Sequence, residues 1–189
     1  VTDLGILPDD RSAIREALEQ AAAGCDVIVT SGGVSGGEED HVKAALEAAG
    51  GKLHAWRLAI KPGRPVALGQ LGSVPFLALP GNPVAVMVTF LMVARPILLA
   101  LAGAAAEQPR RYPVIADFAY RKKPGRREYV RVLIRENNDG TLVAAKHPRD
   151  GAGVLSSMVE ADGLVELADD LTVLTPGSTV SFLPFSGAA

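Results

Sequence analysis

The chain has a single cysteine, Cys25, so no disulfide can form within it. Its three histidines, His41, His54 and His147, lie too far apart to make a local zinc-ligand pattern. Neither sign of charge is in large excess. The 19 Lys and Arg against 21 Asp and Glu give a formal net charge of −2, which argues against a disordered tail or a general nucleic-acid binder. Scarce too are leader features: from Val1 on there is neither a charged n-region nor an apolar signal segment, and the chain is expected to be a piece of a longer polypeptide. The apolar stretch Val84 to Ala102 is interrupted by Arg95-Pro96 short of the roughly 20 residues that a membrane span needs, so a buried helix and no membrane partner are expected. What remains is a globular protein, 48% hydrophobic and 189 residues long, enough for one large domain or two small ones. Two are favoured, and the cytoplasm is the simplest compartment.

Against these absences stands Thr30-Ser31-Gly32-Gly33-Val34-Ser35-Gly36-Gly37-Glu38-Glu39-Asp40, which follows the apolar run Asp26 to Val29 and precedes a helical pattern. Strand, glycine loop and helix in that order build an anion cradle from backbone N–H groups. The spacing of Gly32 and Gly37 mimics a nucleotide-hydrolase phosphate loop, but Glu38 and Glu39 occupy the places where that loop needs Lys and Ser or Thr. A P-loop NTPase is therefore excluded. The acids suit a hard cation such as Mg²⁺ instead.

Periodicity gives an α/β alternation. Val1 to Leu7 reads as a strand, and Asp10 as the cap of a helix whose face is Ile14, Ala17, Leu18 and Ala21, ending at Gly24 before a strand from Asp26 to Thr30. A second helix runs from about Glu38 to Ala49 with Val42, Ala45 and Leu46 on one side. Strands are expected at Leu53 to Leu58, Pro65 to Leu68 and Phe76 to Leu79, in an open parallel sheet whose ligands sit at the strand ends. Asp9 and Asp40 lie just beyond such ends, although either could be a plain helix cap. After Gly103 a small-residue linker precedes runs at Tyr112 to Tyr120, Glu128 to Arg135, Thr141 to Lys146, Gly163 to Leu167 and Ser178 to Phe185, spaced as in a small β-barrel or sandwich. The domains are expected at residues 1–106 and 107–189.

Two Pro-Gly turns carry chemistry. Lys61-Pro62-Gly63-Arg64 gathers two cations on one tight turn, either as an oxyanion clamp or as a solvated hairpin tip. Leu79-Pro80-Gly81-Asn82-Pro83 ends a strand and starts a long helix, with Asn82 as N-cap and Pro83 at the first helical position. Between Arg110 and Arg135, nine basic residues face two acidic ones, which fits a solvated basic face or a wall that attracts an anion. Serine hydrolysis is excluded because no Gly-x-Ser-x-Gly elbow surrounds Ser31, Ser35, Ser156 or Ser157.

The glycine loop through Asp40, then Leu58-Ala59-Ile60-Lys61-Pro62-Gly63-Arg64-Pro65, then Leu79-Pro80-Gly81-Asn82-Pro83 together resemble the MoeA family of molybdopterin molybdenumtransferases, similar also to the gephyrin E domain. The resemblance implies a MogA-like, molybdopterin-binding three-layer α/β domain followed by a small all-β barrel. It implies Mg²⁺-dependent insertion of molybdate into adenylylated molybdopterin with release of AMP, by a homodimer acting on a small molecule and not on nucleic acid. Asp40, Asp9 and Lys61 would be catalytic, and Asp40 and Asp9 would hold the metal. Ser31, Gly32, Gly33, Arg57, Arg64, Pro80, Pro83 and Arg131 would bind the pterin, its phosphates or the oxyanion. Arg57 stands where the family commonly has Lys, and Ala85 and Ala152 stand where Ser is frequent; Ser157 could compensate. Family members carry further N-terminal domains, so this polypeptide alone is expected to have little activity. The alternatives are a scaffold module of gephyrin E type and a molybdopterin adenylyltransferase.

Overall fold

The computed structural model of the chain describes residues 1–34, 41–105 and 109–185. They form two compact units, Val1–Leu58 with Gly63–Phe90, and Ala59–Pro62 with Leu91–Ala189.

In the first unit, α1 (Arg11–Gly24) starts where Asp10, in extended backbone, accepts a 2.8 Å hydrogen bond from the Ala13 N–H. Its buried stripe is Ile14, Leu18 and Ala21, as the 3.6-residue period requires. Because Asp10 does the capping, Asp10→Ala should lower stability by about 1 kcal/mol. Asp9 is exposed, and Asp9→Ala should leave the melting curve within about 0.5 kcal/mol of the parent. Thermal denaturation of the two variants measures both.

Next come β1 (Ile28–Ser31), α2 (His41–Ala48), β2 (Lys52–Trp56), β3 (Ile60–Lys61), β4 (Ala67–Leu71) and β5 (Val74–Leu79). Four of these strands make one sheet in the order β1-β5-β4-β2, and β3 belongs to the second unit. Only β1 and β5 run parallel, from Ile28↔Phe76 to Ser31↔Leu79; β5–β4 and β4–β2 are antiparallel. The expected open parallel sheet is thus corrected to a mixed one, since the two-residue connection Gly72-Ser73 can only fold β4 back on β5 as a hairpin. Ile14, Leu18, Val42, Ala45 and Leu46 of the helices pack with Ile28, Ala67, Leu71, Phe76 and Ala78 of the sheet. A third helix, α3 (Pro83–Thr89), with Val84, Ala85 and Val88 buried, follows β5 and completes the three-layer α/β domain.

Two expectations fail here. Val1 to Leu7 is not a strand: the segment has no ladder partner among the described residues, and Val1, Leu4 and Ile6 are exposed. Alternating apolar residues make a strand only where another backbone lies beside them. Arg95-Pro96 does not break the long helix either. The helix runs from Pro83 to Leu101, through α3, a π-helical turn at Phe90–Ala94 and α4 (Arg95–Leu101). Pro96 has no N–H for the carbonyl four residues back, and the wide turn immediately before it absorbs that loss. With a mean hydropathy of 2.3, this helix is long and apolar enough to cross a membrane by length and composition, and only 28% of its most apolar window is buried. The expected buried helix is corrected accordingly.

The second unit contains β6 (Tyr112–Ala116), β7 (Tyr120–Arg121), β8 (Arg127–Glu136), β9 (Leu142–Lys146), α5 (Ser156–Glu160), β10 (Gly163–Leu167), β11 (Val173–Leu174) and β12 (Thr179–Pro184). Five strands close in the order β10-β12-β6-β9-β8, with β8 pairing back onto β10, so the tail is a barrel and not a sandwich. Its interior holds Val114, Ala116, Val130, Val132, Ala144, Val165, Leu167, Val180 and Phe182. β3 joins the start of β8 in parallel, with Lys61 opposite Glu128.

Candidate functional site

In the first unit the glycine loop and the second Pro-Gly turn meet. Ser31 Oγ donates to the Pro80 carbonyl at 3.0 Å, and the Gly32 N–H donates to the Leu79 carbonyl at 3.0 Å. A side chain at Gly81 would start 3.4 Å from the Gly32 Cα. Motifs 49 residues apart are thereby locked side by side. Gly32 and Gly33 both have left-handed backbones, with φ +91° and +66°. A Cβ on Gly33 would lie 2.5 Å from Val42 Cγ2, whereas one on Gly32 would meet nothing within 4 Å among the described residues. Gly33 thereby lets the loop press against α2.

This narrows the expected cradle. The Ser31 hydroxyl and the Gly32 amide are already committed, so both brace the loop, and Gly33 keeps the amide that has no backbone partner among the described residues. Ser35, Gly36, Gly37, Glu38, Glu39 and Asp40 lie outside the described residues. Pro83 opens α3 after Asn82, as expected, but the Asn82 side chain makes no capping hydrogen bond. Helix initiation therefore does not account for the asparagine.

Arg57 and Arg64 lie on two adjacent stretches of the first unit. The Arg57 N–H donates to the Val66 carbonyl at 3.0 Å and the Leu58 N–H to the Arg64 carbonyl at 2.9 Å. Both arginines are exposed, and the ion pairs described in this unit, Arg15–Glu19 and Lys43–Glu47, involve neither. Arg57 has φ +69°, a left-handed conformation that costs a side-chain-bearing residue about 1–2 kcal/mol. Such cost is typical of positions that aim a side chain at a ligand. A shallow concavity of about 540 Å³ along β2 is lined by Lys43, Glu47, Leu53, His54 and Trp56 and contains none of the motif residues.

Lys61, in the second unit, is not the bare cation expected of it. Its Nζ donates to Glu128 Oε2 at 3.1 Å and to the Tyr120 hydroxyl at 3.2 Å. Glu128, only 1% exposed, also accepts from Tyr120 at 2.8 Å and from Arg126 Nε at 2.7 Å. Burial works against the Glu128 charge, but the bonds from Tyr120, Lys61 and Arg126 outweigh it and hold the carboxyl below the usual glutamate range. Burial likewise pulls Lys61 down, and its bonds to Tyr120 and Glu128 win, leaving it above the usual lysine range. Burial and the bond to Glu128 push the Tyr120 phenol up. Lys146 shares this corner: its Nζ is 6.0 Å from the Tyr120 ring centroid and 2.6 Å from Asp150.

Arg131 projects from β8 and donates to the carbonyls of Gly151 at 2.9 Å and Arg149 at 3.2 Å. Desolvation lowers its pKa, with the Asp150 charge acting the other way. Three cations, Lys61, Arg126 and Lys146, thus accompany the acids Glu128 and Asp150 around Tyr120, whereas Arg131, three positions along β8 from Glu128, lies on the strand's other face. Elsewhere the basic segment pairs internally: Arg111 and Arg127 with Glu166, Arg135 with Asp117, and Lys122 with backbone carbonyls. Ser157 does not compensate for Ala152, because it is fully buried and donates to the Val154 carbonyl. Sequence reasoning missed Tyr120, Glu128 and Lys146 as a group. Their signal is ionisable or hydroxyl-bearing residues near the ends of three separate strands, which no local spacing reveals.

Among the described residues no group of three or more His, Cys, Asp or Glu side chains is placed to hold a metal ion. Asp9 offers one exposed carboxylate, and Asp40 lies outside the described residues.

Two family models match the chain. "Probable molybdopterin binding domain" covers residues 1–100 and "MoeA C-terminal region (domain IV)" covers residues 113–185. The chain is 35% identical over 187 residues to a molybdopterin molybdenumtransferase of Haemophilus influenzae, an alignment covering 98% of this chain and 46% of that protein. It is 32% identical over 166 residues to the molybdenum cofactor synthesis protein cinnamon of Drosophila melanogaster, covering 86% of this chain and 27% of that one. Among solved structures, a molybdopterin biosynthesis MoeA protein from Pyrococcus horikosii is similar with a TM-score of 0.76 and 26% identity, over 97% of this chain and 43% of that one. The chain spans less than half the length of these relatives. It belongs to the MoeA family, with the family's molybdopterin-binding domain followed by its C-terminal domain IV.

Proposed function

We propose that the protein carrying this chain inserts molybdate into adenylylated molybdopterin and releases AMP. The observation that supports this most directly is the locking of Ser31-Gly32-Gly33 against Leu79-Pro80-Gly81, which leaves the Gly33 amide without a backbone partner among the described residues and so able to serve a phosphate. Arg57 and Arg64, exposed and without a described ion pair, would neutralise the nucleotide's phosphates. On the barrel, Arg131 would contact the dianionic oxyanion and Lys61 would neutralise phosphate or oxyanion charge, with Glu128 holding Lys61 and Arg126 in place so that little reorganisation accompanies binding. Mg²⁺ binds through one or two carboxylates, with water and substrate phosphate filling its shell, and Asp9 and Asp40 would supply those carboxylates.

AMP release from adenylylated molybdopterin, measured with and without molybdate, tests the reading. Release should depend on molybdate. Arg64→Gln removes an exposed cation and should raise the KM for the adenylylated pterin about tenfold, the size of one charge-assisted hydrogen bond, with no change in melting temperature. Release that ignores molybdate, or an Arg64→Gln variant with an unchanged KM, would overturn the assignment.

A further inference from the structure

His147 is 2% exposed, directly after β9, and nothing in the proposed reaction uses it. Its backbone N–H donates to the Arg131 carbonyl at 2.9 Å. Its Nδ1 accepts the Arg149 N–H at 3.1 Å, so the ring proton lies on Nε2, which donates to Glu160 Oε2 at 3.0 Å. The other oxygen of Glu160 accepts from the Arg149 guanidinium at 3.0 Å, and that guanidinium also reaches Ser156 Oγ at 2.7 Å. The ring closes on Arg131, whose guanidinium donates to the Arg149 and Gly151 carbonyls. Gly151, with φ +103°, lets the turn present its carbonyl at that point.

We infer that His147 is the positioning residue for Arg131. It shapes the Arg149–Gly151 turn through its Nδ1 acceptor, and the turn's carbonyls fix the guanidinium. The functional half of this inference rests on Arg131 being an oxyanion contact; the structural half does not. The two ring nitrogens do separable jobs. An asparagine can place an oxygen where Nδ1 sits but cannot reach Glu160. A glutamine can send an N–H toward Glu160 but offers the Arg149 N–H no acceptor.

The test uses the 15N NMR signals of the Arg131 guanidinium in the whole chain and a molybdate titration followed on the same signals. In the parent and in His147→Asn, rotation about Nε–Cζ should be slow, and the titration midpoints should agree within about twofold. In His147→Gln the rotation should be released and the midpoint should rise about fivefold or more, the size of one lost hydrogen bond. If His147→Gln does not fold, His147→Leu, which fills the volume without an acceptor, takes its place with the same expectation. Asn and Gln variants that behave alike, both parent-like or both lowered in step with melting temperature, overturn the inference. An Arg131→Gln variant that titrates like the parent removes Arg131 as the oxyanion contact, while the rotation signals still decide what His147 positions.

Discussion

Gly33→Ala should destabilise the first unit by about 3 kcal/mol, combining about 1–2 for a left-handed backbone with about 1–3 for overpacking against Val42. Gly32→Ala should cost only about 1–2 kcal/mol, because its backbone is left-handed too but no described atom would meet its Cβ within 4 Å. The single tryptophan, Trp56, lies in the first unit, so its fluorescence during urea unfolding reports on this unit alone. Adding Val42→Ala to Gly33→Ala removes the atom 2.5 Å away and should recover the overpacking share, although Val42 also contributes to the core. Equal losses for Gly32→Ala and Gly33→Ala would show that the loop does not press on α2 as described.

Glu128→Ala is expected to cost the barrel about 2–3 kcal/mol, which corresponds to one or two hydrogen bonds to a charged group and not to all three. The discount has a reason: the side chains of Lys61 and Arg126 are 49% and 39% exposed and regain water when the carboxylate is lost. The half-buried Tyr120 hydroxyl does not recover as fully. Lys61→Met should cost less, about 1 kcal/mol, since Arg126 and Tyr120 still satisfy the buried carboxylate.

The pH dependence follows from the direction of each shift. Glu128 binds a proton more weakly when folded than when unfolded. Its contribution is fully present above the ordinary glutamate value of about 4.3 and is lost as pH falls through its lower folded value. Lys61 binds its proton more tightly when folded. Its contribution is full below about 10.4 and is lost as pH rises through its higher folded value. Urea midpoints followed by far-UV circular dichroism should therefore decline below about pH 4 in the parent and decline less in Glu128→Gln.

The helices of the first unit were legible because Ile14, Leu18 and Ala21, and then Val42, Ala45 and Leu46, repeat at a period that only a helix satisfies. The barrel strands were legible because turn clusters such as Asn137 to Gly140 punctuate them at even spacing. Strand direction was not legible: a parallel and an antiparallel β4 have the same apolar pattern, and the short Gly72-Ser73 connection decides between them. Val1 to Leu7 shows the converse error, where pattern without a neighbour makes no ladder. α5 and β3 are too short for any period to show. For the candidate site, the residues of each motif could be read in order, but their state could not. Lys61 looked like a free charge until Glu128, 67 positions away, was found to hold it, whereas the Asp10 cap of α1 could be read directly.

The barrel is not a detachable module. All five of its closing strands lie after Leu91, yet Ala59–Pro62 is stitched into the same body, with the Arg127 N–H donating to the Ala59 carbonyl at 2.8 Å and Lys61 meeting Glu128. A polypeptide trimmed to begin at Leu91 would keep every rung of the cylinder and still lose one of the three donors that keep Glu128 charged. Transplanting this module into another protein therefore calls for two pieces of sequence, the tail and the four residues that precede Gly63.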